Sequence, residues 1–266
     1  MRIGIDSGGT FTDFVVWHDD GRLEIFKLRS NPASPASVIL DGIARACVKQ
    51  PCGDGKTDVV HGSTVATNAL LERKGAKTAF VTTEGFEDLI HIGRQNRAEL
   101  YNLTPAIKKQ LVPSSLCFGV GERTYFDGKI AKKPTASDLK RLLAKLRRAG
   151  VESVAVCLLH SYENPANERA AIAALAGLGY ICCSSDVSPE FREYERASTT
   201  LINAYIGPLM DSYLGELERV CPHSLAIMQS NGGFLTAREA RRHAVRTILS
   251  GPAGGIVGAS AMARLS

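Results

Sequence analysis

The sequence predicts an α/β protein, because short runs rich in valine and isoleucine alternate with segments of helical periodicity. Hydrophobic residues make up 44% of its 266 residues and charged residues 22%, which excludes a disordered, fibrous or coiled-coil protein. A net charge of +5 and 6% aromatic residues do not favour nucleic-acid binding. No apolar run reaches about 18 residues, so we expect no membrane-spanning segment.

The opening of the chain predicts a β-rich region followed by alternating elements. We expect strands over residues 2–6, 14–17 and 23–28, and a turn at 18–21. A helix to about residue 49, a short strand at 59–60, a helix over 64–74 and a strand over 76–82 follow.

The remainder contains the clearest helix. Residues 84–134 show no regular pattern, whereas 135–150 place four leucines on one face between Thr135, a candidate cap, and Gly150. The elements expected after it are a strand at 153–159, a helix at 165–178, a strand at 180–184, a helix at 197–220, a strand at 224–229 and a helix at 237–244. A small-residue helix from Gly251 should lead into another strand, so we expect a piece of a longer protein.

The cysteines and the N-terminal residues indicate the cellular compartment in which the protein is expected. The seven cysteines are odd in number, irregularly spaced and without a Cys-x-x-Cys pair, which favours free thiols. An early carboxylate at Asp6 and the lack of a long apolar run do not resemble a secretion signal. We therefore expect a cytoplasmic protein.

The first motif carrying chemistry connects the first two predicted strands. It reads Asp6-Ser7-Gly8-Gly9-Thr10-Phe11-Thr12-Asp13. Gly8 and Gly9 let backbone N–H groups approach a phosphate, Thr10 and Thr12 add hydroxyl donors, and Asp6 and Asp13 add oxygen ligands suited to Mg²⁺. The alternative is a Gly-Gly turn with polar neighbours; the flanking carboxylates and threonines favour phosphate binding.

The second motif, His61 to Asn68, joins a strand to the start of a helix. We expect Ser63 or Thr64 to cap that helix. The free N–H groups at the start of the helix either bind an anion or are satisfied by ordinary capping without a ligand. His61 is either a general base or a hydrogen-bonded residue at the strand end. Because ligands sit at strand ends in α/β sheets, we expect both motifs to line one cleft.

Four further stretches are rich in polar residues or glycine. The loop Gly93-Arg94-Gln95-Asn96-Arg97 either clamps a carboxylate or phosphate or is solvated. The charged run Ser188–Arg196 is expected to be a solvated face. Ser230–Phe234 reads as a turn, and Ser250–Gly255 as a helix entry whose N–H groups can face an anion.

Taken together, these motifs resemble the hydantoinase A / 5-oxoprolinase family. The resemblance rests on the stretches 4–13, 61–75, 93–97, 193–196, 229–233 and 250–255, which occur in the family's order. It implies the N-terminal lobe of an actin-like ATPase (ribonuclease H-like) fold. It also implies an N-terminal domain over residues 1–200 and the start of a core domain over 201–266.

The resemblance implies an enzyme that uses ATP and Mg²⁺ to open a cyclic amide such as hydantoin, N-methylhydantoin or 5-oxoproline by phosphorylating the amide oxygen. Asp6 and Asp13 would hold the metal and act in catalysis with His61. Phosphates would contact Gly8, Gly9, Thr10, Thr12, Ser63 and Thr64, and substrate would contact Arg94 and Gln95. A hydantoinase B-type partner subunit and an oligomeric whole protein are expected, and this piece alone is expected to be inactive.

Two alternatives stay open. One is the ATP-binding subunit of an acetone- or acetophenone-type carboxylase. The other is a non-catalytic nucleotide-binding protein of the actin-like fold, which would have no need of the motifs at 61–68 and 93–97.

Overall fold

A computed structural model describes residues 1–31, 33–48, 57–96, 101–104, 110–220 and 224–264. Contacts divide the chain into two compact units. Unit 1 comprises Met1–Lys74 and Leu209–Ser266, and unit 2 comprises Gly75–Pro208. Unit 2 is therefore a continuous insertion in the sequence of unit 1. The domain boundary predicted near residue 200 stays a prediction.

The elements alternate between strands and helices, as the α/β class requires. In chain order, the strands are β1 Arg2–Ser7, β2 Phe11–Trp17, β3 Leu23–Arg29, β4 Asp58–Ser63, β5 Thr78–Thr83, β6 Cys117–Val120, β7 Arg123–Thr124, β8 Ile130–Lys132, β9 Ser153–Cys157, β10 Tyr180–Cys183, β11 Ser224–Met228 and β12 Phe234–Thr236. The α-helices are α1 Pro35–Cys47, α2 Val65–Leu71, α3 Leu89–Ile92, α4 Ala136–Ala149, α5 Ala166–Ala174, α6 Ser184–Val187, α7 Glu193–Val220, α8 Ala237–Arg242 and α9 Ser250–Ala263.

Unit 1 is built on a mixed sheet with the strand order β12-β11-β4-β1-β2-β3. Strands β1, β2 and β3 form an antiparallel meander, and β4 runs parallel to both β1 and β11. Alternate residues point inward, so Ile3 and Ile5 of β1 and Phe14 and Val16 of β2 are buried. This register decides which polar side chains face outward.

Helix α1 packs closely on the inner face of that sheet. Its apolar face buries Val38, Ile39 and Ile43. A Cβ at Gly42 would lie 2.1 Å from the Phe14 ring, so only glycine allows this approach. The packing fixes the meander, and with it the loop between β1 and β2.

Unit 2 contains a parallel sheet with the order β10-β9-β5-β6. Strands β5 and β9 are buried along their whole length, as expected for a sheet with both faces covered. Helix α4 buries Leu139, Leu142 and Leu146 against it. Thr135 accepts a hydrogen bond from the Asp138 N–H at 3.1 Å, and Gly150 ends the helix with φ +60°, which confirms the predicted helix.

A buried ionic cluster lies at the carboxyl ends of β9 and β10. We call Arg196, Glu168, Ser161 and Ser184 the arginine cluster; all four are buried. Arg196 donates to the Leu158 carbonyl and to Ser184 Oγ, both at 3.0 Å, and also to Ser161 Oγ. Ser184 Oγ in turn donates to Glu168 at 2.7 Å. The expectation of a solvated charged face is therefore wrong at Arg196, which is 0% exposed.

Other differences concern short elements. The stretch 84–134, expected to be less regular than the rest, contributes β6 to the parallel sheet as well as the β7–β8 pair. Helix α7 begins at Glu193 instead of 197 and contains Pro208. Strand β12 follows the predicted turn, in which Gly232 has φ +83°.

The cysteines depart from the expectation at one position. Cys47 is disulfide-bonded, so the prediction of seven free thiols is wrong; an odd total still leaves room for a bonded pair. Burial raises the pKa of the Cys157 and Cys182 thiols to about 12, which leaves them protonated and unreactive at neutral pH. Within the described ranges, each helix is too short or too polar to cross a membrane.

Candidate functional site

The loop between β1 and β2 is a tight hairpin turn. The Gly8 N–H donates to the Phe11 carbonyl at 3.0 Å, and a Cβ at Gly8 would lie 3.1 Å from that carbonyl oxygen. Ser30, just after β3, braces the turn from the side: its Oγ donates to the Gly8 carbonyl at 2.7 Å and its N–H to the Thr10 carbonyl at 2.9 Å. Gly9 and Thr10 remain exposed at the tip.

Two carboxylates face each other on the outer side of the hairpin. Asp6 of β1 is the direct cross-strand partner of Asp13 of β2. Partial burial, and then the negative charge of Asp13, raise the pKa of the Asp6 carboxyl. Lys27 Nζ lies 3.1 Å from Asp13 Oδ1. Like charges opposed in this way destabilise a strand pair, so the arrangement favours a bound cation.

The end of β4 and the start of α9 lie beside Asp6. A Cβ at Gly62 would be 3.5 Å from Asp6 Oδ1, and one at Gly251 would be 3.8 Å away. Ser250 Oγ donates to the Ser63 carbonyl at 3.2 Å and so fastens the start of α9 to β4. No side chain caps the first turn of α9, and Pro252 has no N–H, so the uncapped N–H groups near Asp6 are those of Ser250 and Gly251.

Thr64 joins the second motif to the first. Its N–H and its hydroxyl both donate to the Ser7 carbonyl at 3.0 Å. Ser63 Oγ accepts from the Val65 N–H at 3.2 Å, which satisfies one free donor of α2. The structure therefore brings the hairpin, Ser63 and Thr64 together within unit 1, side by side at the ends of paired parallel strands.

His61 lies beneath these loops and is 0% exposed. Its Nε2 is 2.6 Å from the hydroxyl of Tyr213 on α7. Burial lowers the pKa of His61 to about 4, an effect that the Ile5 carbonyl opposes, so the imidazole is neutral at pH 7. Burial raises the pKa of Tyr213, against hydrogen bonds from Ser63 and Ser7. We call His61, Tyr213, Ser7 and Ser63 the histidine cluster.

A cavity of about 430 Å³ opens on the side of the hairpin opposite Asp6 and Asp13. Its walls come from the hairpin, the 30–35 segment, α2 and α7, and they include Ser7, Thr12, Ser30, Asn68 and Tyr213. Neither Asp6 nor Asp13 lines it. We call it the hydroxyl-side cavity. The hairpin thus has a carboxylate face and a hydroxyl face.

The predicted substrate residues belong to unit 2. Arg94 forms an ion pair with Glu195 and keeps 57% of its side chain exposed. Gln95 has φ +58°, a left-handed conformation that is uncommon outside glycine. Arg97, predicted as the second arginine of this loop, lies outside the described residues.

The remaining predicted residues divide by accessibility. Thr12 is 1% exposed and its Oγ1 lies 3.0 Å from Ser30 Oγ, whereas Thr10 is exposed. Sequence reasoning gave no role to Ser30, Asn68 or Tyr213. Tyr213 sits in a long helix without a local motif, so no sequence signal points to it, whereas Asn68 at least belongs to the second motif.

The donor set limits which metal fits. Within the described residues, no group of three or more His, Cys, Asp or Glu side chains is placed to hold an ion. Two opposed carboxylates fit Mg²⁺, which keeps several waters and binds proteins through one or two carboxylates plus phosphate oxygens. Zinc, which needs three or four nitrogen or sulfur ligands, does not fit.

Comparison with known proteins gives a consistent result. A family model described as "Hydantoinase/oxoprolinase N-terminal region" matches residues 2–177, and one described as "Hydantoinase/oxoprolinase" matches 196–266. The chain is 32% identical to caprolactamase subunit alpha of Pseudomonas jessenii over 95% of its length, and 33% identical to 5-oxoprolinase of Saccharomyces cerevisiae over 98%. It spans 38% and 24% of the length of these relatives.

Solved structures show the same relationship. The nucleotide-free structure of an ATP-dependent acetone carboxylase matches with a TM-score of 0.87 and 27% identity, over all of this chain and 41% of that one. The ATP-dependent caprolactamase from Pseudomonas jessenii matches with a TM-score of 0.82 and 32% identity, over 95% of this chain and 39% of that one. Both have actin-like ATPase-type lobes, which confirms the predicted fold class. The chain belongs to the hydantoinase/oxoprolinase family.

Proposed function

We propose that the protein to which this chain belongs uses ATP to open the ring of a cyclic amide. The observation that carries the proposal is the opposed pair Asp6 and Asp13 on a glycine hairpin, beside the uncapped start of α9. Oxygen ligands for a cation and free N–H groups for phosphates then lie side by side. Relatives named 5-oxoprolinase and caprolactamase support the substrate class.

Different residues of this chain would bind the metal, the phosphates and the substrate. Asp6 and Asp13 would hold Mg²⁺, and Gly8, Gly9, Thr10, Thr12, Ser63 and Thr64 would surround the phosphates, Thr12 from beneath the turn. When bound, Mg²⁺ offsets charge on the transferring phosphoryl group. His61 is fully buried, so we assign it the positioning of Tyr213 and the strand ends, not proton exchange with substrate. Arg94 and Gln95 are proposed to contact the substrate.

The reaction balances as follows. The bond between the γ-phosphorus and the bridging oxygen of ADP breaks as a bond to the amide oxygen forms. Water then adds to the ring carbon, and the ring nitrogen leaves as a protonated amine. A second water adds to the same carbon, and the bond from this carbon to the former amide oxygen breaks, so that the released phosphate carries that oxygen. The overall products are the open amino acid, ADP and phosphate.

The test uses the whole protein with its partner subunit and a cyclic amide labelled with oxygen-18 in the carbonyl. Mass spectrometry of the released phosphate should find one labelled oxygen for each ring opened. Unlabelled phosphate during productive ring opening would exclude phosphorylation of the amide oxygen.

A second candidate is the nucleotide-binding subunit of a ketone carboxylase, favoured by the TM-score of 0.87 to acetone carboxylase. A partner subunit fits either function, since one relative is named as a subunit alpha. A panel of 5-oxoproline, caprolactam, hydantoin and acetone with bicarbonate separates them by which compound stimulates ATP hydrolysis.

We also propose that these 266 residues alone bind ATP weakly and do not turn it over. The chain spans 24–39% of its curated relatives, and an actin-like site clamps nucleotide between two lobes. Calorimetry should give a dissociation constant in roughly the millimolar range. Micromolar affinity would contradict this.

A further inference from the structure

The hydroxyl-side cavity borders the proposed phosphate site at Gly8, Gly9, Thr12 and Thr64, and it adds polar groups that this site does not use, such as Ser30 and Asn68. Its volume of about 430 Å³ lies within the range of roughly 300–1,000 Å³ typical of small-molecule sites. Aliphatic side chains of Val65, Ala69 and Leu209 form part of its wall, and hydroxyls form much of the rest. The cavity is therefore suited to a small ring with an apolar and a polar side.

The charges around the cavity argue against an anionic ligand. The charged lining residues are Glu72, Lys74 and Glu216. Lys74 Nζ lies 2.6 Å from Glu72 Oε2, so the lysine charge is already matched. With Glu216 added, the wall is net negative. A carboxylate beside Glu72 and Glu216 would meet repulsion there, whereas a neutral molecule would not.

Asn68 offers the cavity an amide whose capacity is only partly used. Its Nδ2 donates to Thr64 Oγ1 at 3.3 Å, which leaves a second N–H, and its Oδ1 makes no hydrogen bond within the described residues. A cyclic amide is locked in the cis form, so its N–H and C=O lie on the same edge. That edge can pair with a carboxamide through two antiparallel hydrogen bonds, whereas the edge of an open-chain trans amide cannot.

Asn68 also lies against the tip of the hairpin. A Cβ at Gly9 would be 3.7 Å from Asn68 Nδ2. A ring amide paired with Asn68 would therefore present its oxygen beside the turn that the proposed function assigns to phosphates.

We propose that the hydroxyl-side cavity binds the uncharged ring of the cyclic amide, with the Asn68 side chain pairing with the ring N–H and C=O. This assignment rests on the proposed function and narrows it to cyclic amides without a carboxylate. The preferred substrates are then simple lactams or hydantoins instead of 5-oxoproline.

Binding of 2-pyrrolidinone to the whole protein, measured by ligand-observed NMR and calorimetry without ATP, tests the proposal. Loss of one hydrogen bond should weaken binding about 3- to 10-fold for N-methylpyrrolidinone, and open-chain N-methylacetamide should bind still less. 5-Oxoproline should bind more weakly than 2-pyrrolidinone. Equal or tighter binding of 5-oxoproline would overturn the assignment.

Two variants of cavity residues test whether the cyclic amide binds in the hydroxyl-side cavity. Asn68→Ala should weaken 2-pyrrolidinone binding about 10-fold or more and raise the KM for the cyclic amide, while the KM for ATP stays within about two-fold. Leu209→Glu adds a charge at an exposed wall residue and should weaken binding without threatening the fold. Lys140→Ala, at an exposed position of α4 in unit 2, is the control expected to leave binding unchanged. Unchanged binding in both cavity variants would refute the site.

The failures of the two proposals are distinguishable. Labelled phosphate together with Asn68-independent binding would overturn the cavity assignment and leave the proposed function standing. Asn68-dependent binding without ATP-coupled ring opening would support the cavity and refute the function.

Discussion

The histidine cluster of unit 1 and the arginine cluster of unit 2 are both buried polar networks at the ends of parallel strands, yet they differ in charge and access. His61 is neutral, and Tyr213 lines a cavity. Arg196 and Glu168 are joined through Ser184 and are 0% exposed. Arg196 has a carbonyl, two hydroxyls and the Glu193 carboxylate beside it, because buried charge needs partners, whereas a neutral cluster tolerates an open wall.

The difference shows that burial of polar groups does not by itself mark a ligand site. The arginine cluster fastens the ends of β9 and β10 to the start of α7, so its role is structural. The histidine cluster fastens β1 and β4 but leaves the loops above it accessible. Accessibility of the neighbouring surface, more than the amount of polar burial, identifies the functional region.

The largest expected effect comes from breaking the arginine cluster. Arg196→Met removes the buried guanidinium that donates to the Leu158 carbonyl and Ser184 Oγ and pairs with Glu193, and it should lower the free energy of unfolding by about 3–5 kcal/mol. Urea denaturation measures it. The matched control is Arg192→Met, one turn earlier in the chain, which should change stability by less than about 0.5 kcal/mol. Equal effects of the two variants would remove the structural role assigned to Arg196.

The contribution of His61 makes the free energy of unfolding depend on pH. His61 has a pKa of about 4 in the folded protein and an ordinary value near 6.5 when unfolded, so the unfolded state binds the proton first as pH falls. Stability is therefore lost between about pH 6.5 and pH 4, by roughly 3 kcal/mol in total. Denaturation across this range should show a shallower loss in His61→Gln than in the parent, whereas His160→Gln should keep the parent's slope.

Replacing Asp6 of the carboxylate pair should lower activity without lowering stability. Asp6→Asn in the whole enzyme is expected to lower turnover by about 100-fold or more, because a positioned cation acts mainly in the transition state. The same change removes the repulsion from Asp13, so the free energy of unfolding should not fall. Steady-state kinetics and denaturation test both parts. Asp41→Asn, exposed on α1, is the control; a large loss of stability in Asp6→Asn would contradict the argument.

The smallest effect is expected at Arg94. Its ion pair with Glu195 is exposed, so Arg94→Ala should cost less than about 1 kcal/mol of stability. If Arg94 contacts substrate, this variant raises the KM for the cyclic amide more than the KM for ATP. Glu195→Gln frees the arginine and should not reproduce that increase. Identical kinetics in the two variants would mean that Arg94 serves only the ion pair.

Local sequence patterns were enough to predict much of the fold. Alternation in β1 and β2, the leucine face of α4 and the glycine hairpin are all encoded within short windows, and the structure has each of them. Strand β6 was not predicted from the sequence, because Cys117–Val120 is short and only partly buried and therefore shows no alternation of buried and exposed residues. Pairings distant in sequence were also hidden: His61 and Tyr213 are 152 residues apart, and nothing near Arg196 signals that it is buried.

The split of unit 1 into two sequence segments has a consequence for biosynthesis. Strand β11 pairs with β4 only after the whole of Gly75–Pro208 has been made, and closing so long a loop costs entropy before any contact compensates it. Unit 2 is continuous in sequence, so we expect it to fold first as the chain leaves the ribosome. Until Ser224–Met228 emerges, the β4 edge of the meander is unpaired on its β11 side. Ser250 and Gly251 reach Asp6 later still, so the nascent protein completes its sheet before it completes the proposed phosphate site.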